Sequence, residues 1–212
     1  IFRFFRKPII TDLDSASLQQ WGEAYLGKPA TQFLLGPFVS GIFATTPSEL
    51  NAQLSFPKLV PSDSSISLFQ HVKSLRSKKE RKPRPQMMVL KQGMEDLVQK
   101  LAQKLSENIH LNSEIKNVNE LEGNVIYSVP TLELRTILQN QNLIDSTTVT
   151  HSLEKIRYSP LITATVFYSK NAFSKPPRGV GVLIPRGEKM RLLGCLFNSS
   201  TFSNRTHDES TI

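Results

Sequence analysis

The side chains in this chain that could carry out chemistry are few and widely separated. His71, His110, His151 and His207 lack the spacing of metal ligands, so surface or hydrogen-bonded positions are expected for them and no metal site is assigned. Cys195 is the single cysteine, which excludes an internal disulfide or a Cys-x-x-Cys redox pair and fits a reducing compartment. It lies between Gly194 and Leu196 with no base or cation beside it to activate the thiol, and it reads as a small buried core residue. The sequence contains no Gly-x-Ser-x-Gly elbow, no P-loop and no Gly-x-Gly-x-x-Gly fingerprint. No catalytic residue is assigned.

The most informative feature is a spacing. In Gly179 to Arg205, Val180, Val182 and Ile184 alternate with Gly179, Gly181 and Leu183. Pro185 and Gly187 then interrupt the run, and a second apolar stretch covers Leu192 to Phe197. This pattern predicts two paired strands joined by a charged turn. Glycines at every second position leave one strand face bare, which suits either ordinary close sheet packing or close approach of a flat ligand. Arg186 and Lys189 fall at the hairpin tip, where solvation is expected.

Such a hairpin needs elements to hold it. A chain of 212 residues with 39% hydrophobic content can bury a core, as one large domain or two small ones. Ser17, with Gln20 three residues later, predicts a helix start, with Leu18, Trp21 and Tyr25 on one face and Gly27 as the stop. At that spacing Trp21 and Tyr25 read as core, with interfacial anchoring as the other reading. Pro29 suits the first turn of a second helix carrying Phe33, Leu34 and Phe38 toward Gly41. Further helices are predicted over 66–75, from Met94 to Leu105, over 131–138 and over 148–156. Strands are predicted to begin at Ile109 and continue through Ile115 and Val118, to span Val125 to Val129, and to include the central strand Leu161 to Tyr168, LITATVFY.

The formal net charge of +8 and pI near 9.7 permit attraction to anionic partners. Arg76, Lys78, Lys79, Arg81, Lys82 and Arg84 concentrate that charge beside Pro83 and Pro85, which reads as a solvated linker. Contact with acidic lipid or nucleic acid are the competing readings. No run of 18 or more apolar residues occurs, and IFRFFRKPII lacks the apolar core and cleavage pattern of a targeting peptide. The start at Ile1 and the end at Ile212 suggest an interior piece of a longer protein.

The order of these segments resembles the protoporphyrinogen oxidase family of flavoenzymes, within the flavin amine oxidase superfamily. Gly179, Val180, Gly181, Leu183 and Pro185 match its Gly-x-Gly-x-Leu-x-Pro strand. Leu193 and Gly194, then Ser199, Ser200 and Phe202, match the leucine-glycine strand and serine-phenylalanine loop that follow. GPFVSGIFATTPSEL from Gly36, KQGMEDLVQKLAQKL from Lys91 and NVIYSVPTLELRTIL from Asn124 match three further family segments in the same order. Three departures stand out. Asn198 replaces a common Asp, Thr45 and Thr46 replace Gly and Asp, and the stretch between Val118 and Val125 is too short for the pair of strands that members normally carry there.

The resemblance implies an α+β fold: a helical lobe followed by a mixed β-sheet substrate-binding domain with part of an FAD-binding domain, of the FAD/NAD(P)-binding, p-hydroxybenzoate-hydroxylase-like type. The implied segments are 1–85 for the lobe, 86–130 for the partial FAD-binding portion and 131–212 for the substrate sheet. It further implies FAD-dependent oxidation of protoporphyrinogen IX or coproporphyrinogen III in haem biosynthesis, with the pyrophosphate site of the FAD absent from this chain. Porphyrinogen would meet Gly41, Val180, Gly181, Leu183 and Leu196, and the flavin would meet Ile115, Ser128, Val129 and Pro130. Peripheral membrane contact, a homodimer and a cytoplasmic location complete the expectation, with no nucleic acid partner. A different substrate of the flavin amine oxidase and desaturase group, or a non-catalytic basic module, are the alternatives.

Overall fold

Helix α1, Leu18–Tyr25, begins where the sequence requires it to. The Ser17 hydroxyl accepts the Gln20 amide N–H, and the Gln20 side chain accepts the Ser17 N–H, so two backbone donors that a helix start leaves free are satisfied together. Gly27, at φ +91°, ends the turn in a conformation that favours glycine. The structure is a computed structural model that describes residues 2–8, 10, 12–63, 65–77, 88–115, 117–140, 147–202 and 205–206.

The next helical segment is continuous but changes its winding. Lys28–Ala30 (α2) carries Pro29 in its first turn, Thr31–Leu35 forms a π-helical turn, and Gly36–Phe43 (α3) completes the run. Pro37 explains the change, because its ring lacks an N–H and crowds the carbonyl one turn back. The wider turn relieves that crowding, and the Gly36 N–H donates to the Thr31 carbonyl, five residues earlier. Ala44, in the left-handed region at φ 52°, closes α3.

Around α1 lies the core, made of Leu18, Trp21, Tyr25, Val39, Ala52, Val60 and Leu68. Trp21 and Tyr25 are thus core residues, at 3% and 0% exposure. Asn51 caps the short α4, Ala52–Ser55, and its side-chain amide donates to the Asp14 carbonyl. Leu18 N–H to Leu50 and Ala52 N–H to Ala16 pin the same turn to the start of α1. Helix α5, Leu68–Ser77, starts at Ser67, whose hydroxyl accepts the Gln70 N–H while Gln70 accepts the Ser67 N–H. The serine-rich approach to this helix supplies its cap.

Two compact units are present, one made of residues 1–89 with 159–212 and the other of 90–158. The second contains α6, Glu95–Lys104, α7, Thr131–Asn140, and α8, Thr147–Glu154. Helices α7 and α8 pack together, joined by an Arg135–Glu154 ion pair at 3.0 Å. The Thr131 N–H donates to the Tyr158 hydroxyl at 3.1 Å.

The hairpin forms as the alternation predicts, in shorter strands: β1, Gly181–Leu183, and β2, Gly194–Leu196, pair antiparallel with Val182 opposite Cys195. The turn places Gly187 at φ +97°. A short α9, Asn198–Thr201, follows. The strands predicted from Ile109 through Val118, over Val125–Val129 and over Leu161–Tyr168 do not form among the described residues. Leu161, Ile162 and Val166 are exposed, Ile162 at 95%, where a central strand would bury them. Branched and aromatic residues fit a pleated surface but cannot make one without a neighbouring strand to pair their backbone groups. Among the described residues the architecture is therefore mixed, mainly helical with a small two-stranded sheet.

Candidate functional site

The first unit joins segments that are distant in sequence. Helix α3 meets β1, so Gly41 faces Leu183. A Cβ on Gly41 would lie 2.6 Å from Leu183 Cδ2, so the missing side chain is what lets the leucine sit against the helix. Leu183 keeps 44% exposure and Leu196, on the same hairpin face, keeps 67%, while Val180, at 55%, alternates to the other face. Each strand end is held in place: the Phe197 N–H donates to Val180 and the Ile184 N–H to Leu193.

The glycines of the hairpin serve its own pairing. A Cβ on Gly181 would collide with the Cys195 carbonyl, and one on Gly194 would come 2.6 Å from the Val182 carbonyl. Of the two readings of the bare face, close sheet packing accounts for Gly181, whereas Gly179, at φ +100° with nothing within 4 Å of a Cβ there, answers to its backbone conformation. A bulky residue at Gly181 would therefore break the hairpin before it filled any cavity.

One expectation from the sequence is corrected here. Cys195 is exposed, because a side chain in a two-stranded sheet is buried only where a further layer covers it. Arg186 stays exposed at the hairpin tip, yet it is anchored: its Nε donates to the Ser40 hydroxyl at 3.3 Å, across 146 residues of sequence. Ser40 is 1% exposed and donates in turn to the Thr45 carbonyl at 3.1 Å. Beside it the Glu49 carboxylate accepts from the Thr45 hydroxyl, a bond that holds its pKa below the ordinary 4.5, with smaller help from Thr46 and the Arg186 charge. Sequence reasoning missed the Ser40–Arg186 link, since no local pattern joins a helix terminus to a hairpin turn.

The second unit holds the other group of expected positions. Ile115, Ser128, Val129 and Pro130 lie in exposed irregular backbone, Ile115 at 49% and Val129 at 42%. Pro130 stands just before α7, its carbonyl accepting the Leu134 N–H at 3.0 Å, but the four residues are solvent-exposed as placed and by themselves form no enclosed flavin cradle. Among the described residues no His, Cys, Asp or Glu cluster could hold a metal ion, and no helix is long and apolar enough to cross a membrane. Most of the basic run, from 78 to 84, lies outside the described residues.

Residues 3–212 match the family model described as flavin containing amine oxidoreductase. This chain belongs to that family. Among curated proteins, the flavin-containing amine oxidoreductase chain is 25% identical to protoporphyrinogen oxidase 1, chloroplastic, of Arabidopsis thaliana, over 89% of its own length and 42% of the relative's. It is 24% identical to the chloroplastic protoporphyrinogen oxidase of Nicotiana tabacum, over 89% of its own length and 41% of the relative's. It is also 24% identical to protoporphyrinogen oxidase 2, chloroplastic/mitochondrial, of Arabidopsis thaliana, over 90% and 45%. The chain thus spans less than half the length of these relatives. The resemblance read from the sequence motifs is the one these relatives carry.

Proposed function

We propose that this chain supplies part of the substrate cavity of an FAD-dependent oxidoreductase that converts protoporphyrinogen IX or coproporphyrinogen III to the porphyrin in haem biosynthesis. The observation that carries the reading is the meeting of Gly41 with Leu183, two family motifs separated by most of the sequence, with the exposed apolar side chain of Leu196 on the same hairpin face as Leu183. A flat, largely apolar macrocycle calls for such a wall, with few polar groups and little water. When bound, the flavin accepts the electrons of the oxidation. The residues of this chain bind and orient the macrocycle and exclude water from it.

Peripheral membrane contact belongs to the same reading. Phe5, Phe33, Leu34, Phe38 and Ile42 are exposed large apolar residues, and Arg6 follows Phe5 directly while Arg3 stands two residues before it. The relatives' names place them in chloroplasts or mitochondria, and an organellar location is proposed here in place of the cytoplasm. A homodimer remains part of the proposal, to be read from the sedimentation of the full-length protein.

The deciding experiment is porphyrin fluorescence from full-length parent protein reconstituted with FAD and supplied anaerobically with either porphyrinogen, followed by addition of oxygen. Appearance of porphyrin well above the no-enzyme rate is expected, and Leu183→Ala should raise KM about tenfold with flavin retained. Flavin-loaded protein that oxidises neither porphyrinogen would overturn the reading.

A further inference from the structure

The contact between α3 and the hairpin has a polar half as well as an apolar one. Leu183 closes over Gly41, and three residues later Arg186 reaches the preceding helix residue, Ser40. The turn between them is constrained: the Glu188 N–H donates back to Pro185, Gly187 adopts φ +97°, and Pro185 fixes its own φ. The direction in which Arg186 leaves the turn is therefore set by backbone geometry.

The receiving side is equally built. Ser40 is 1% exposed in the last turn of α3, and its carbonyl accepts the Ala44 N–H that closes the helix. A hydroxyl has one donor and two acceptor positions, so Ser40 can give its proton to the Thr45 carbonyl and still receive the Arg186 Nε–H. Glu49, held by the hydroxyls of Thr45 and Thr46, sets a negative charge near the guanidinium. One helix end and its turn thus present a buried hydroxyl to the hairpin, with a carboxylate charge close by.

We infer that Arg186 is a positioning residue: through Ser40 it fastens the β1–β2 turn to the end of α3 and so fixes Leu183 over Gly41, which, on the porphyrinogen reading above, sets the width of the substrate cavity. A single apolar contact would let the exposed hairpin pivot. Two contacts of different chemistry, three residues apart on the hairpin and adjacent on the helix, define its angle.

Hydrogen exchange on the full 212-residue chain tests the fastening without reference to any substrate. Arg186→Met keeps the apolar stem but removes the donor, and Ser40→Ala removes the acceptor. Each should raise exchange roughly three- to tenfold in both the 36–46 and the 180–197 segments, the double variant should add nothing further, and Arg186→Lys should restore part of the protection. Exchange changes confined to the segment that carries the substitution, or additive in the double variant, would overturn the inference. In the flavin-loaded full-length protein, Arg186→Met should raise the KM for porphyrinogen about tenfold at unchanged kcat, with Arg186→Lys intermediate. An equal fall in kcat and kcat/KM would sink the positioning role. A wild-type protein inactive on porphyrinogen would remove the substrate reading, while the exchange result would still decide the fastening.

Discussion

Gly22 lies within α1 at a point where the helix has no room for a methyl group. A Cβ there would lie 2.7 Å from Leu35 Cδ2 and 2.8 Å from Thr31 Oγ1. Leu35 is the end of a flexible side chain and can yield, but the Thr31 hydroxyl is committed to the Gly27 carbonyl at 3.0 Å. Alanine in a helix gains up to about 1 kcal/mol over glycine, whereas overpacking a tight contact costs about 1–3 kcal/mol. Gly22→Ala is therefore expected to destabilise the first unit by about 1 kcal/mol, read from urea unfolding followed by the single tryptophan, Trp21. A stabilised variant would show that the Thr31 bond gives way freely. The same logic explains which site residues could be read from sequence. Gly41 and Leu183 stood in motifs, but the Ser40–Arg186 bond depends on a three-dimensional meeting that no spacing encodes.

The start of α1 was legible because its cause is local: Ser17 with Gln20 solves the open-donor problem within four residues. Ser67 with Gln70 does the same for α5, a cap that the sequence reading did not name. Ser17→Ala should cost the chain about 1 kcal/mol in urea unfolding, the usual loss for a capping side chain; no change would mean that the Ser17–Asn51 bridge alone fixes the helix start. Strands were less legible, because a strand requires a partner. LITATVFY has the composition of one and lies exposed without a ladder, whereas Gly181–Leu183 is a strand because β2 lies across a turn of its own hairpin. Helix α6 shows a related effect. Its periodicity predicted a helix correctly, yet Met94, Leu97, Val98, Leu101 and Leu105 are all 47–64% exposed. Periodicity identifies an apolar face but not what covers it. This chain should therefore enhance the fluorescence of a hydrophobic dye such as ANS, and Leu97→Gln with Leu101→Gln should reduce that signal by about half. An unchanged signal would locate the dye on another surface.

Across the first unit, carboxylates hold the turns that lead into or link its helices. Asp12 accepts from the Ser15 hydroxyl at 2.5 Å and the Asp14 N–H at 2.9 Å just before α1, and Asp63 accepts from the Ser65 N–H and hydroxyl, both at 2.7 Å, just before α5. Glu49 binds Thr45 and Thr46 in the turn between α3 and α4. All three pKa values are lowered, chiefly by the Ser15 hydroxyl for Asp12, the Ser65 N–H for Asp63 and the Thr45 hydroxyl for Glu49. A group whose pKa is lower in the folded state binds fewer protons there than in the unfolded chain, so stability rises with pH across its titration. The contribution is fully present above the ordinary values of 3.8 and 4.5 and is lost as pH falls through the lower native values. The thermal midpoint of the first unit, followed by Trp21 fluorescence, should accordingly drop as pH is taken from 5 toward about 3, since protonation releases these hydrogen bonds. The combined Asp12→Asn, Glu49→Gln and Asp63→Asn variant should melt lower than the native chain at neutral pH and show a flatter dependence below about pH 4.5, because amides cannot lose the proton linkage they never had. If the variant keeps the native slope, the acid sensitivity arises outside these turns and the account of how they hold the helices fails.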